Sequence, residues 1–245
     1  MYPILARYDS IFIYSYTVVL AVGVLLATGL TGRLAKRRPA ETWFDALLVL
    51  FFAALLGGRL GFVLEQWAYF QEHPSEIWQI GLGGLSYFGA LFAGLTALFL
   101  WTRFLDRSFY QYAALFSPGL ALLSAFGWLA CWFEGCAYGL ETMIGFFSAD
   151  LPDEYGVFAL RYQTQLIGML LSFAAFIAIL WLFKRTKSST LFWSALILIS
   201  TAHLVPDLVR GDPTWMFGGI RLDSLLDGLL IAVSLLMLQY SVRKE

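Results

Sequence analysis

"WFDALLVLFFAALLGGRLGFVL", residues 43–64, carries one acid near its start and one arginine near its end, with only apolar residues and glycine between and around them. Coiled as an α-helix at 1.5 Å per residue it is about 33 Å long, enough to cross the hydrocarbon core of a bilayer. A run of this length and polarity predicts a membrane-spanning helix.

The same test, about 20 mainly apolar residues, predicts further spans near 11–32, 85–102, 110–133, 163–183, 190–209 and 222–240. Seven spans put the two termini on opposite sides. The composition agrees: 60% of the 245 residues are hydrophobic and 13% charged, whereas soluble domains carry about 25% charged residues. Mean hydropathy is +0.72. Nine tryptophans suit segment ends at the headgroup level, and a net charge of −1 gives no electrostatic support to nucleic-acid binding.

The basic residues are unevenly spread. Arg33, Lys36, Arg37, Arg38, Arg103, Arg107, Lys184, Arg185, Lys187, Arg243 and Lys244 flank the spans on one side. Glu65, Glu72, Glu76, Glu141, Asp150, Asp153, Glu154 and Asp212 lie in segments on the other. The positive-inside rule then predicts an outer N-terminus and a cytoplasmic C-terminus. The start lacks a basic n-region and a small-residue cleavage site, so it is read as a retained first span.

Two outer segments are more than connections. Residues 65–84, "EQWAYFQEHPSEIWQIGLGG", set Trp67, Tyr69, Phe70, Ile77, Trp78 and Ile80 among acids, the pattern of an arm lying in the membrane interface. Residues of about 140–162, containing "GFFSADLPDEYG", predict a small external cap. With no linker and no internal repeat, the expectation is an all-α integral membrane protein with a single domain over 1–245.

Ionisable groups inside spans are costly and therefore functional candidates: Asp45, Arg59, Glu134, His203, Asp207, Arg210, Asp223 and Asp227. Arg59 stands among Gly57, Gly58 and Gly61, which admit a close neighbouring helix. Its guanidinium could take a phosphate or carboxylate, or could pair with an acid such as Glu65 or Asp207. "AHLVPDLVR" puts His203, Asp207 and Arg210 at i, i+4 and i+7 on one helix face. His203 is readable as a base or as a hydrogen-bonded packing residue, and Asp207 with Arg210 as an internal ion pair rather than a catalytic couple. Cys131 and Cys136 point apart on a continuous helix, so they are read first as small buried hydrophobes, with an outer-face disulfide or a redox pair as the alternative. Gln165 must find a partner inside the membrane. No spacing suggests a metal site or a nucleotide cofactor.

These residues resemble a known family, the prolipoprotein diacylglyceryl transferases of bacterial lipoprotein maturation. The likeness is carried in order by "LLGGRLGFVL", "YFQEHPSEIWQIGLGGLSYFGALFAG", "RSFYQYAALFSPGLALLSAFGW", "EGCAYG", "RYQTQL" and "VPDLVRGDP". It implies a seven-span inner-membrane enzyme that moves the diacylglyceryl group of phosphatidylglycerol to a lipobox cysteine thiol at the outer face, releasing glycerol phosphate. The resemblance implies headgroup-binding roles for Arg59, Ser86, Gln165, Arg210 and Tyr16, and catalytic roles for His203 and Asp207.

Several signature positions differ. Phe88 stands where the family has a histidine after G-G-x-S-[FY], and Trp128, Cys131 and Cys136 stand where it has arginine, asparagine and a further polar or acidic residue. His203 replaces an arginine. Losing one preorganised charge or donor costs on the order of 10²–10³ in rate. Two expectations therefore run in parallel: a working transferase with phospholipid and prolipoprotein as partners, or a catalytically degenerate relative that binds lipid, pigment or other subunits of a membrane complex.

Overall fold

The computed structural model describes residues 4–9, 11–79 and 83–244; the interfacial Ile80 lies outside them. Among the described residues, seven helices are long and apolar enough to cross a membrane: α1 (Ser15–Ala35), α2 (Trp43–Glu65), α4 (Tyr87–Phe104), α5 (Phe109–Glu134), α6 (Thr164–Phe183), α7 (Ser188–Asp207) and α8 (Leu222–Lys244). A short α3 (Trp67–Glu72) follows α2 directly, then a 3-10 turn at Pro74–Glu76. Leu25, Phe52, Phe99, Ile177 and Leu236 remain exposed on the long helices, as lipid-facing side chains do.

The first span begins later than the apolar run suggests. Ile11–Tyr14 form β2 and pair antiparallel with β1, Ile4–Tyr8. "IFIY" is β-branched and aromatic, so its apolar character serves a hairpin rather than the first helical turn. The segment expected to form a cap is likewise a hairpin, β3 (Ser148–Pro152) with β4 (Phe158–Tyr162). A third pairs β5 (Met216–Phe217) with β6 (Ile220–Arg221).

The chain divides into two compact units, Ala35–Ala113 and Met1–Leu34 with Ala114–Glu245. In the first, α2 and α4 cross at glycines. A Cβ on Gly89 would sit 2.4 Å from the Gly57 carbonyl oxygen, and one on Gly57 would sit 2.1 Å from the Ala93 Cβ. Small residues are what let two membrane helices approach this closely. Ser86 caps α4 by accepting from the Gly89 N–H at 3.2 Å, and its own N–H donates to the Gly58 carbonyl at 2.8 Å.

In the second unit Trp128 of α5 lies against Gly168 of α6, where a Cβ would come within 2.3 Å of the indole. α7 packs on both α6 and α8. Pro206 falls in the last turn of α7, so the helix continues through it and ends at Asp207.

Candidate functional site

In the Ala35–Ala113 unit the conspicuous polar residue is Arg59, 3% exposed. Its Nε donates to the Ile77 carbonyl at 2.8 Å and its Nη2 to the Glu76 carbonyl at 2.6 Å. Nη1 donates to the carbonyls of Gly83 and Gly84 at 2.6 and 3.2 Å. The guanidinium also lies over Phe70, 5.2 Å from the ring centre. The arm after α2 is thus gathered around one cation by its own backbone. The acid suggested as a partner, Glu65, instead accepts from the Ser86 hydroxyl at 2.5 Å. Phe88, in the first turn of α4, is buried and stacks on Phe92 with ring centres 6.0 Å apart.

The other unit holds the remaining candidates. His203 Nε2 shares a 2.5 Å hydrogen bond with the Ser124 hydroxyl, which lies 3.4 Å from the Ser172 hydroxyl. The Trp128 ring stands 5.4 Å from the imidazole. Its indole N–H is buried and has no hydrogen-bond partner among the described residues. Two positions at which the family resemblance implies arginine are therefore filled by an indole and an imidazole in contact. Tyr16 lies half-buried in the first turn of α1. Gln165, 1% exposed, finds its partner in the Cys136 carbonyl at 2.8 Å, and the adjacent Thr164 hydroxyl donates to the Ala137 carbonyl.

The cysteines require a correction. They are not free hydrophobes: Cys131 and Cys136 form a disulfide with Cα atoms 4.8 Å apart. The assumption that failed is a continuous helix. α5 stops at Glu134, Gly135 takes φ +89°, and the N–H groups of Gly135 and Cys136 both return to the Cys131 carbonyl. A glycine in the left-handed region ends the helix and folds the second thiol back on the first. Gly135 was the signal in the sequence. Replacing both cysteines by serine is expected to lower stability by about 2 kcal/mol, the closure entropy of so short a loop. Thermal unfolding with and without reductant checks this, and an unchanged midpoint would refute it.

At the end of α7 the chain builds an ion network. Arg210 donates from Nη1 to Asp207 at 2.7 Å, and from Nε and Nη2 to the two carboxylate oxygens of Asp212 at 2.8 and 2.6 Å. Asp223 lies 3.7 Å away. Arg221 donates to the Asp212 carbonyl at 2.7 Å, and its Nη2 lies 3.3 Å from the Asp223 carboxylate. Burial alone would lower the Arg210 pKa, but its hydrogen bond to Asp212 and the charges of Asp212, Asp207 and Asp223 hold it above its ordinary value. This side chain is a permanent cation. The backbone supports it: the Gly211 N–H donates to the Tyr138 carbonyl at 2.7 Å, and the Leu140 N–H to the Val209 carbonyl at 2.8 Å.

These residues border a cavity of about 510 Å³ lined by Asp207, Arg210, Asp212, Arg221 and Ser224 together with Leu140, Leu208, Met216 and Ile220. It has both charges and an apolar rim. The ion pair of Asp207 with Arg210 was readable from their spacing. Arg221 was missed, because only the β5–β6 hairpin brings it back to Asp212.

Residues 3–240 match the model of the prolipoprotein diacylglyceryl transferase family. The chain is 27% identical over 238 residues to phosphatidylglycerol–prolipoprotein diacylglyceryl transferase 2 of Clostridium perfringens, covering 95% of this chain and 91% of that protein. It is 29% identical over 229 residues to the transferase of Thermosynechococcus vestitus, covering 90% and 84%. With that of Clostridium botulinum it shares 26% over 253 residues, covering 100% and 99%. Seven apolar helices and a match along almost its whole length make this chain a multi-pass protein of the bacterial plasma membrane that belongs to the prolipoprotein diacylglyceryl transferase family.

Proposed function

We propose that the protein transfers the diacylglyceryl group of a phospholipid, phosphatidylglycerol by the names its relatives carry, to the cysteine thiol of a prolipoprotein. The thiol sulfur attacks the glycerol carbon that bears the phosphate, a C–S bond forms, and the C–O bond breaks. Its electron pair leaves with glycerol phosphate, and the thiol proton passes to a base. A thioether results. The family match over 3–240 carries this proposal.

The cavity supports it as a headgroup site. Arg210 is a fixed cation with Asp207 and Asp212 setting its plane, suited to charge developing on a leaving phosphate. His203, hydrogen-bonded to Ser124, is the proposed base. Asp207 acts through Arg210, holding it. Gln165 braces the turn that carries the disulfide, and Arg59 and Ser86 act on their own unit by shaping the arm and the start of α4. The reaction takes place at the outer face, with the N-terminus outside and the C-terminus in the cytoplasm.

Complementation tests the reading. Expressed in a bacterium depleted of its own diacylglyceryl transferase, the chain is expected to restore the gel shift of maturing prolipoprotein, and His203→Ala is expected to weaken it by about 10²-fold, the scale of a lost general base. Unprocessed prolipoprotein in cells holding folded, inserted protein would overturn the transferase and favour a binding scaffold.

A further inference from the structure

We infer that the Cys131–Cys136 disulfide is a positioning device for Arg210, so that transfer depends on its oxidation. The inference rests on the transferase reading in taking Arg210 as the cation that meets the leaving phosphate. Residues 136–140 lead away from the disulfide, and each of them is tied to a neighbouring segment. The Cys136 carbonyl accepts from the Gln165 side-chain amide at 2.8 Å, and the Ala137 carbonyl accepts from the Thr164 hydroxyl. The Tyr138 carbonyl accepts from the Gly211 N–H at 2.7 Å, and the Leu140 N–H donates to the Val209 carbonyl at 2.8 Å. Between these last two bonds Gly139 stands opposite Arg210 in an antiparallel bridge. One short run of chain therefore joins the disulfide to the backbone that carries the cation.

That run has little slack. A Cβ on Gly139 would sit 2.3 Å from the Tyr162 carbonyl oxygen, and one on Gly211 would sit 3.0 Å from the Gly139 carbonyl oxygen. Tyr138 is buried, and the guanidinium of Arg161 lies over its ring, 5.4 Å from the centre. Glu141 and Asp153 hold that guanidinium in turn, each at 3.1 Å. Close-packed groups transmit a displacement rather than absorb it, so a shift where the run begins reaches Arg210.

The run begins under strain. Gly135 takes φ +89° and Ala137 takes φ +53°. Glycine enters the left-handed region freely, but alanine stays there only where its surroundings hold it. The S–S bond is the covalent part of that hold, and Gln165 and Thr164 supply the rest. On reduction the S–S bond breaks: a dithiol reductant supplies two electrons and two protons, two thiols form, and the reductant closes to its own disulfide. Ala137 then relaxes toward negative φ, Tyr138 and Gly139 turn with it, and Arg210 leaves its place between Asp207 and Asp212. Oxidising compartments keep such bonds closed, so the cation is set in place at the outer face and loosened wherever thiol reductants reach it.

The test follows transfer from phosphatidylglycerol to a prolipoprotein peptide by the full-length protein in detergent, oxidised and after reduction with dithiothreitol, with rates normalised to folded protein. Reduction is expected to lower kcat about tenfold and to leave KM for the lipid little changed, because a displaced group that acts on transition-state charge costs rate more than binding. The double variant Cys131→Ser with Cys136→Ser is expected to have the lowered kcat from the start and no response to dithiothreitol. A bond that only stabilised the fold would change the amount of folded protein and not its kcat. Equal kcat in the two states, or in the double variant and the oxidised parent, overturns the inference.

Hydrogen exchange read by mass spectrometry separates this from the function itself. The amides of Leu140 and Gly211 donate across the bridge, and their exchange is expected to speed up about tenfold on reduction. Unchanged exchange refutes the inference whatever the rate of transfer. A protein that transfers equally well in both states refutes the inference and leaves the transferase standing. One whose bridge loosens on reduction but which transfers nothing even when oxidised refutes the transferase and leaves the disulfide as the holder of Arg210.

Discussion

Arg59→Ala is expected to lower the unfolding free energy of the detergent-solubilised protein by about 3–5 kcal/mol, among the largest effects of any single substitution in the chain. The side chain is 3% exposed and donates to four backbone carbonyls, of Glu76, Ile77, Gly83 and Gly84. Its removal strips those carbonyls of their partner at once and leaves a void beside Phe62 and Phe70. Arg59→Lys should recover part of the loss, since an ammonium keeps the charge but cannot reach carbonyls on three sides of a planar fork. Thermal unfolding followed by tryptophan fluorescence reads both, Trp67 and Trp78 of the arm being two of the nine reporters. An alanine variant as stable as the parent would mean that the carbonyls are satisfied some other way.

Arg210→Ala is expected to abolish prolipoprotein processing to within detection, a loss on the order of 10²–10³ in rate if transition-state charge is what it neutralises. It should also destabilise the fold. Asp207, 2% exposed, would keep its charge without its cation, and stranding a buried ion costs about 3–5 kcal/mol. The two effects can be separated. Arg210→Lys retains a cation for Asp207 but loses the second prong on Asp212, so stability should recover more than activity. Rates are to be normalised to folded protein by size-exclusion chromatography. Equal recovery of both would mean that Arg210 is a structural pin alone.

Long apolar runs made the spans legible. Residues 43–64 became Trp43–Glu65, and 163–183 became Thr164–Phe183, because in a bilayer the length of a hydrophobic run is itself the constraint. "IFIY" misled because its apolar residues serve a hairpin, and four residues are too few for periodicity to separate strand from helix. The cysteines misled because a rule for continuous helices was carried past Gly135. Arg59 could not have been solved from sequence, since its partners are backbone carbonyls, which every residue has and no letter marks. The pair of Asp207 with Arg210 was legible because it is local. Asp212, two residues on from Arg210, is just as local and was passed over, whereas the extension to Arg221 and Asp223 was not legible, because only a hairpin of two residues on each strand brings those groups back to it. The substitutions at 88 and 128 were visible as letters, but their outcome, a phenyl stack and an indole against an imidazole, is a matter of packing.

Connections between helices ordinarily absorb insertions and deletions with little effect. The one between α2 and α4 should not, for Arg59 is reached by carbonyls at 76 and 77 and again at 83 and 84. Those four acceptors are backbone groups in two adjacent pairs, so an extra residue between Glu76 and Ile77, or between Gly83 and Gly84, would move a carbonyl off the guanidinium. At those positions the spacing of the backbone, more than the identity of the side chains, is what drift is least free to change.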